Sequence, residues 1–206
     1  MVIPGALLQR VKNEKILLVT MKNNAHSESR EKRTKRFQDG PPIEIILTLL
    51  NSIDNHFNNE IRLTAQGVNY QTTLMFLGIH AVALTISGGF FNKNGVTGYK
   101  LFLEKFVDGD TLDTKFSNIA DLLHNWRNIL AHQWLGLTGH ILGYDYEMQQ
   151  GYRIEEEVTI INPKVYLEHY LKAFEAGGKI WSYREYLDDS ELDSVKDRLL
   201  KKFLAK

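Results

Sequence analysis

The chain has 206 residues, a length that suits one domain with a core large enough to fold without cross-links. It contains no cysteine, which excludes disulfides, zinc–thiolate sites and thiol catalysis. Its 25 basic and 25 acidic residues give a formal net charge of zero. A broad basic surface for nucleic acid normally requires a clear basic excess, so any such contact is expected to be local or shared with a partner or a second subunit.

The first 41 residues are predicted to be an extension that ends in a basic linker. Residues 1–20 begin with apolar side chains, but charges from Arg10 onward interrupt them, so no secretory signal is predicted and a cytoplasmic location is expected. Residues 22–40 are polar and dense in charge, and Pro41-Pro42 follows. This composition predicts a mobile linker, and the alternative is an arm that binds nucleic acid.

Helical spacing of apolar side chains predicts that most of residues 42–206 are α-helical. Gly88-Gly89 is predicted to end the second helix, and Asn162-Pro163 to begin the fifth. The predicted helices, the last being one or two amphipathic segments, cover residues 43–60, 69–87, 99–107, 114–135, 163–176 and 181–206.

One predicted helix lies in a long uncharged stretch. Residues 63–92 contain no Asp, Glu, Lys or Arg, but the strongly apolar run is only 74–86, with His80 in its middle. A membrane-spanning helix needs about 20 apolar residues. A buried core helix is therefore predicted, and no membrane partner.

From residue 141 the spacing of the apolar side chains changes to every second position, which predicts a β-hairpin at about residues 141–161. Tyr144, Tyr146 and Tyr152 belong to the alternating pattern, and residues 149–151 are the predicted turn. The tyrosines are expected to pack across the strands, and the alternative is a surface on which bases stack.

Arg127 is the unusual residue of the helix predicted over 114–135. On a helical wheel it falls on the apolar side, near Phe116 and Leu123. Because an unpaired guanidinium is very unfavourable in a core, Arg127 must meet an acidic partner, carbonyl groups, a subunit interface or an anion. It is therefore either structural or a binding residue for a group such as phosphate.

Three polar residues of the same helix accompany Arg127. His124, Asn128 and His132 follow one another at four-residue intervals. His124 and Asn128 have a spacing that could hold a metal, but no carboxylate lies in register with them, so no metal site is predicted. A single histidine on a helix is more often structural than catalytic, and these residues alone do not decide the function.

The string His-Asn-Trp-Arg-Asn-Ile-Leu-Ala-His at residues 124–132 resembles the signature of the HEPN ribonuclease-like superfamily. That signature is an arginine, four to six residues and a histidine, with a polar residue directly after the arginine. Here four residues separate Arg127 from His132, and the polar residue is Asn128. The resemblance implies an antiparallel helical bundle over about residues 43–135. The charged extension and the β-hairpin depart from the simplest pattern.

The resemblance also implies an activity, that of a metal-independent endoribonuclease without cofactor. His132 would act as general acid or base, Arg127 would stabilise phosphate charge, and Asn128 and His124 would support them. RNA would be left with 2′,3′-cyclic phosphate and 5′-OH ends. Many such proteins are toxins with a nucleotidyltransferase-like antitoxin, or act in phage defence. Others are non-catalytic modules that bind RNA, nucleotides or protein, which is the alternative here.

The spacing of the two principal residues predicts a homodimer. Arg127 and His132 are five positions apart and would point about 140° apart on a straight helix. Either the helix is distorted, or two copies combine their motifs across a two-fold axis. The second possibility places the site at the dimer interface.

Overall fold

The computed structural model describes residues 29–64, 71–132 and 141–204, and for residues 128–132 and 141 it describes the backbone alone. These ranges are mostly helical with one small sheet, which confirms the mainly α fold. The helices are α1 Arg30–Asp39, α2 Pro42–Ser52, α3 Asn58–Thr64, α4 Thr72–Phe90, α5 Gly95–Phe102, α6 Ala120–His132, α7 Pro163–Lys172 and α8 Leu192–Leu204. The strands are β1 Ile141–Tyr144, β2 Tyr152–Glu155 and β3 Val158–Ile161.

Short π and 3₁₀ segments extend several of these helices. The π-helix Ile53–Phe57 joins α2 to α3, which confirms one helical run across residues 43–60, and Leu103–Val107 extends α5 in the same way. The 3₁₀ turns Leu112–Thr114 and Phe116–Ile119 lead into α6. The helix predicted from residue 114 is therefore α-helical only from Ala120.

Residues 30–39 form a helix, so the prediction of a mobile linker is wrong for them. Ser29 caps α1 by accepting a hydrogen bond from the backbone N–H of Lys32 at 3.3 Å. Phe37 is only 1% exposed and packs edge-on against Phe203 of α8, with ring centroids 5.7 Å apart. One buried aromatic and a cap thus hold a charged segment against the domain. Residues 1–28 of the predicted extension lie outside the described residues.

Helix α4 is the central element and packs against α3, α5, α6, α7 and α8. Ile79, Ala83 and Ile86 on its inner side are completely buried. By length and composition it is the one helix among the described residues that is apolar enough to cross a membrane. However, 61% of that stretch is buried inside the domain, as in the core helix of a soluble protein.

Gly88 and Gly89 lie inside α4, so the prediction that they end the second helix is wrong. A Cβ atom on Gly89 would lie 2.5 Å from Cδ2 of the buried Leu199. The small residues therefore let α8 approach α4 closely. The helix ends at Phe90 instead, where Arg198 donates to the carbonyl oxygens of Gly89 and Phe90 at 2.8 Å each.

Gly98 on α5 is expected to tolerate no side chain. A Cβ atom there would collide with the backbone carbonyl of Lys93, which cannot rotate away. Gly98→Ala is therefore expected to lower the free energy of unfolding by about 1–3 kcal/mol, although alanine favours helices over glycine by about 1 kcal/mol. Gly78→Ala in α4 is the matched control, because its nearest neighbour there is Ile61 at 3.3 Å. Denaturant unfolding should separate the two variants, and equal stabilities would contradict the packing.

The sheet has the strand order β1-β3-β2, with β2 antiparallel and β1 parallel to β3. The prediction of a hairpin within residues 141–161 is confirmed for β2 and β3, but its turn is at Glu156-Glu157. Residues 149–151 instead belong to the connection between β1 and β2. Gly151 lies there against the 3₁₀ segment, where a Cβ atom would meet the backbone oxygen of Asp113 at 2.5 Å.

Helix α7 begins as predicted. The side chain of Asn162 accepts hydrogen bonds from the backbone N–H groups of Lys164 and Val165, and Pro163 occupies the first turn. The helix ends at Lys172, earlier than predicted. Beyond it, the 3₁₀ segment Lys179–Glu185 and helix α8 account for the amphipathic pattern predicted over residues 181–206, as far as residue 204.

Candidate functional site

Helix α6 carries the candidate residues and packs against α4 and α5. Three apolar side chains of α6 and of the 3₁₀ segment before it are buried, namely Phe116, Ile119 and Leu123. Asp121 and Asn125 on the other side are exposed. The helix is thus amphipathic, with its inner side against the middle of α4.

Arg127 is half-buried, as its place on the apolar side predicts. Its positive charge acts on two imidazoles and lowers the pKa of both His80, on α4, and His124, on α6. The charge of Arg127 therefore acts on both histidines. His124 and Arg127 are three positions apart, which puts them on neighbouring parts of one helix face.

His80 and His124 are joined by a hydrogen bond. Nε2 of His80 lies 2.9 Å from Nδ1 of His124, and the two ring centroids are 4.9 Å apart. His80 is only 1% exposed, whereas His124 is half-buried. Sequence reasoning selected His124 but not His80. The signal was a single histidine in the middle of the apolar run, because a buried imidazole requires a polar partner.

Both histidines are held in their neutral form. Burial, followed by the nearby His124 and Arg127, lowers the pKa of His80 to about 3. Partial burial and the charge of Arg127 also lower the pKa of His124, while Asp121 acts in the opposite direction. At neutral pH the pair therefore carries no charge, and Arg127 is the cation of this cluster.

Aromatic side chains fix the position of His80. Its ring packs on Tyr99 with centroids 4.5 Å apart, and the hydroxyl groups of Tyr99 and Tyr166 are 2.7 Å apart. Both tyrosines are fully buried, and burial raises the pKa of each. They are therefore neutral hydrogen-bonded groups that tie α5 to α7 behind the histidine pair.

A second stack connects α6 to the sheet. Trp126 stacks on Tyr144 with ring centroids 6.2 Å apart and planes 15° apart, and Tyr144 stacks in turn on Phe76 at 5.9 Å. Phe76 lies one helical turn before His80 on α4. Tyr144 of strand β1 therefore bridges α6 and α4.

The predicted tyrosine surface is engaged in packing. Tyr144 belongs to the stack with Trp126, the hydroxyl group of Tyr146 is hydrogen-bonded to Thr72, and Tyr152 packs on Phe116 at 6.1 Å. These contacts favour the structural interpretation over a surface for stacking bases.

Three buried polar atoms in this region have no hydrogen-bond partner among the described residues. They are Nδ1 of His80, Nε1 of Trp126 and the hydroxyl oxygen of Tyr144. Most buried polar atoms in proteins are paired, because an unpaired one is unfavourable by about 1–3 kcal/mol. Two of these atoms belong to the stack of Trp126 and Tyr144, and the third, on His80, lies one helical turn after Phe76 of that stack.

Asn128 and His132 lie in the last two turns of α6, and their side chains are outside the described residues. The backbone is regular α-helix from Ala120 to His132, with neither a π turn nor a 3₁₀ turn inside it. Five residues of regular helix place the Cβ directions of Arg127 and His132 about 140° apart. A local distortion that would bring the two together is therefore not found.

An open groove of about 390 Å³ lies beside the start of α6. Lys93 and Lys100 contribute positive charge to its lining, and Glu104 and Asp121 contribute negative charge. Across the described ranges, no group of three or more His, Asp or Glu side chains is placed to hold a metal ion. The chemistry of this face therefore centres on Arg127 and the histidine pair.

No protein-family model, curated protein or solved structure matches the chain.

Proposed function

We propose that this protein is a metal-independent endoribonuclease of the HEPN type, with Arg127 and His132 as its catalytic residues. The observation that carries the proposal is the setting of Arg127, a half-buried permanent cation whose charge acts on two imidazoles held neutral. A phosphate group would complement this local positive charge and accept the planar donors of the guanidinium. The helical bundle and the motif on α6 add to this support.

In the proposed reaction, the ribose 2′-oxygen attacks the adjacent phosphorus as its proton leaves to a base. The bond from phosphorus to the 5′-oxygen breaks, and that oxygen takes up a proton. His132 transfers protons, because imidazole titrates near neutral pH. Arg127 stabilises the negative charge that develops on the phosphate oxygens. The products are a 2′,3′-cyclic phosphate and a 5′-OH end.

The proposed enzyme is a homodimer with its site at the two-fold interface. The regular backbone of α6 supports this, because it directs Arg127 and His132 to different sides of one helix. In a dimer, Arg127 of one copy would meet His132 of the other. Sedimentation or light scattering should therefore give twice the mass of the chain, and a strict monomer at assay concentration would contradict this arrangement.

The biological role proposed with this activity is that of a toxin or a defence component in the cytoplasm, with a nucleotidyltransferase-like antitoxin as its natural partner. Its RNA contacts would be local, in keeping with the zero net charge, and the groove with Lys93 and Lys100 beside α6 offers one such contact. Growth arrest on expression, relieved by His132→Ala, is the expected cellular result.

The zero net charge also favours a second candidate function, a non-catalytic HEPN-like module that binds RNA, a nucleotide or another protein. The two functions are separated by incubating the purified protein with total RNA in the presence of EDTA. We expect fragments that end in 2′,3′-cyclic phosphate and 5′-OH. Intact RNA after incubation with folded, dimeric protein would contradict a general endoribonuclease and favour the binding module.

A further inference from the structure

The His80–His124 pair leaves one nitrogen directed away from the contact. Nδ1 of His124 faces His80, and Nε2 therefore lies on the other side of the half-buried ring. Within the residues that the structure describes, this Nε2 forms no hydrogen bond, and it is not among the buried unpaired atoms. It belongs to the helix that also carries Arg127.

The surroundings of His80 indicate which of the two histidines donates the hydrogen bond between them. If His124 donated the hydrogen bond, His80 would keep its own proton on Nδ1, as a buried N–H group without a described partner. If His80 donates from Nε2, its Nδ1 is a bare acceptor. Among backbone groups, buried N–H groups without partners are rarer than under-satisfied carbonyl oxygens, and we extend this preference to the imidazole. The second arrangement is therefore favoured, and it leaves the proton of His124 on Nε2.

We propose that His124 and Arg127 of one chain bind a phosphate group together, with His124 donating its Nε2–H as a neutral imidazole. His80 is then the positioning residue that fixes this tautomer by donating to Nδ1 of His124. The inference rests on the proposed function only in naming the ligand as a phosphodiester of RNA. In this proposal the residues have different roles, since His124 and Arg127 bind the anion and His132 transfers protons.

The charges around His124 fit a donor better than a base. His80 faces it from α4 and Tyr99 from α5, and both are neutral groups at neutral pH. On α6 itself, the charge of Arg127 lowers its pKa and that of Asp121 raises it. A bound anion would favour the protonated form, so the pKa of His124 should rise when phosphate binds.

The test is nitrogen-15 NMR of the histidine rings in the full-length protein, which reports which nitrogen carries the proton. Inorganic phosphate is one probe, and a 2′-O-methylated dinucleotide with one uncleavable phosphodiester is the other. We expect His80 and His124 in the Nε2–H form, and a change at His124 Nε2 with a raised pKa when either probe is added. A response to inorganic phosphate alone would overturn the assignment to RNA.

Paired variants distinguish the effect of losing the hydrogen-bond donor from the effect of changing the size of the side chain. His124→Phe should weaken binding of the dinucleotide by at least about tenfold, and His124→Gln, which keeps an amide donor, should recover part of it. His80→Leu should weaken binding and shift the proton equilibrium of His124, whereas His80→Gln should preserve both. His56→Phe, at an exposed position, is the control. Thermal unfolding identifies any variant that fails to fold.

Two outcomes would overturn the inference. One is wild-type His124 with its proton on Nδ1, a result that needs no variant to fold. The other is a His124 ring that neither probe changes. The experiments distinguish a failure of this inference from a failure of the proposed function. RNA cleavage that needs His132 but is unchanged in His124→Phe contradicts the phosphate pair alone, whereas the expected NMR response without any cleavage contradicts the ribonuclease alone.

Discussion

Replacing His132 with alanine is expected to lower the rate of RNA cleavage by at least about a hundredfold, because proton transfer by a positioned side chain contributes about 10²–10⁴-fold. Arg127→Ala should have an effect of about 10²–10³-fold, since it removes a positioned donor to the developing charge. The measurement is the initial rate on a labelled RNA that the wild type cleaves. His56→Ala, an exposed histidine on the π segment between α2 and α3, is the matched control and should leave the rate unchanged.

The stability of the same variants tests the structural interpretation of Arg127. In the proposed function, His132→Ala remains folded and Arg127→Ala loses activity under conditions where its circular dichroism is still native. The opposite pattern of stability and activity would contradict a catalytic site. If Arg127→Ala unfolds while His132→Ala cleaves RNA at the wild-type rate, Arg127 is a structural residue of α6 and the motif is not catalytic.

Phe116→Ala is expected to lower the free energy of unfolding by about 3–5 kcal/mol, the usual loss for a fully buried phenylalanine. Phe116 has no exposed surface, and its ring packs on Tyr166 at 4.9 Å, His169 at 5.7 Å and Tyr152 at 6.1 Å. These contacts join the start of α6 to α7 and the sheet. Removing the ring leaves a cavity at this junction, which the surrounding aromatic groups fill only in part.

Leu112→Ala provides the control for this loss, because Leu112 belongs to the same connection but is 75% exposed. Its substitution should change stability by no more than about 0.5 kcal/mol. Urea unfolding followed by circular dichroism gives the midpoint of each variant. The midpoints compare the stabilities directly if the unfolding free energy of both variants falls with urea at the same slope. Similar midpoints would show that the junction before α6 does not depend on Phe116.

Helices whose signals are local could be predicted from the sequence. The beginning of α7 follows from Asn162-Pro163, which supplies a capping side chain and a first residue suited to a helix. The run from α2 to α3 follows from apolar spacing after Pro42. Such patterns lie within one or two turns, so they do not depend on where the rest of the chain folds.

Features that depend on distant contacts could not be predicted. Helix α1 is held through Phe37 by Phe203, far away in the sequence, while its own residues are typical of a linker. The alternating pattern does not locate the turn of the hairpin, because β1 pairs in parallel with β3 rather than with its neighbour β2. Gly88 and Gly89 have the local appearance of a helix end, but their small size serves the approach of α8.

In the candidate site, too, some features could be predicted from local sequence, and others depend on distant contacts. The wheel position of Arg127 was sufficient to mark it as a charge on an apolar face, and the structure describes it as half-buried. The partner of His124 could not be identified, because His80 lies 44 positions earlier and reaches it only through the packing of α4 against α6. Local spacing predicts the motif of residues 124–132, and tertiary packing lowers the pKa of His80 and of His124.

Complementation between two inactive variants tests the central claim, that Arg127 and His132 of two copies form one cleavage site. Arg127→Ala and His132→Ala are co-expressed with different tags, and the mixed dimers are verified by mass. One of the two sites in each mixed dimer has both residues, so an unselected mixture should recover about a quarter of the wild-type rate, since statistically half of its dimers are mixed. Mixed dimers that form but recover no activity would contradict the shared site.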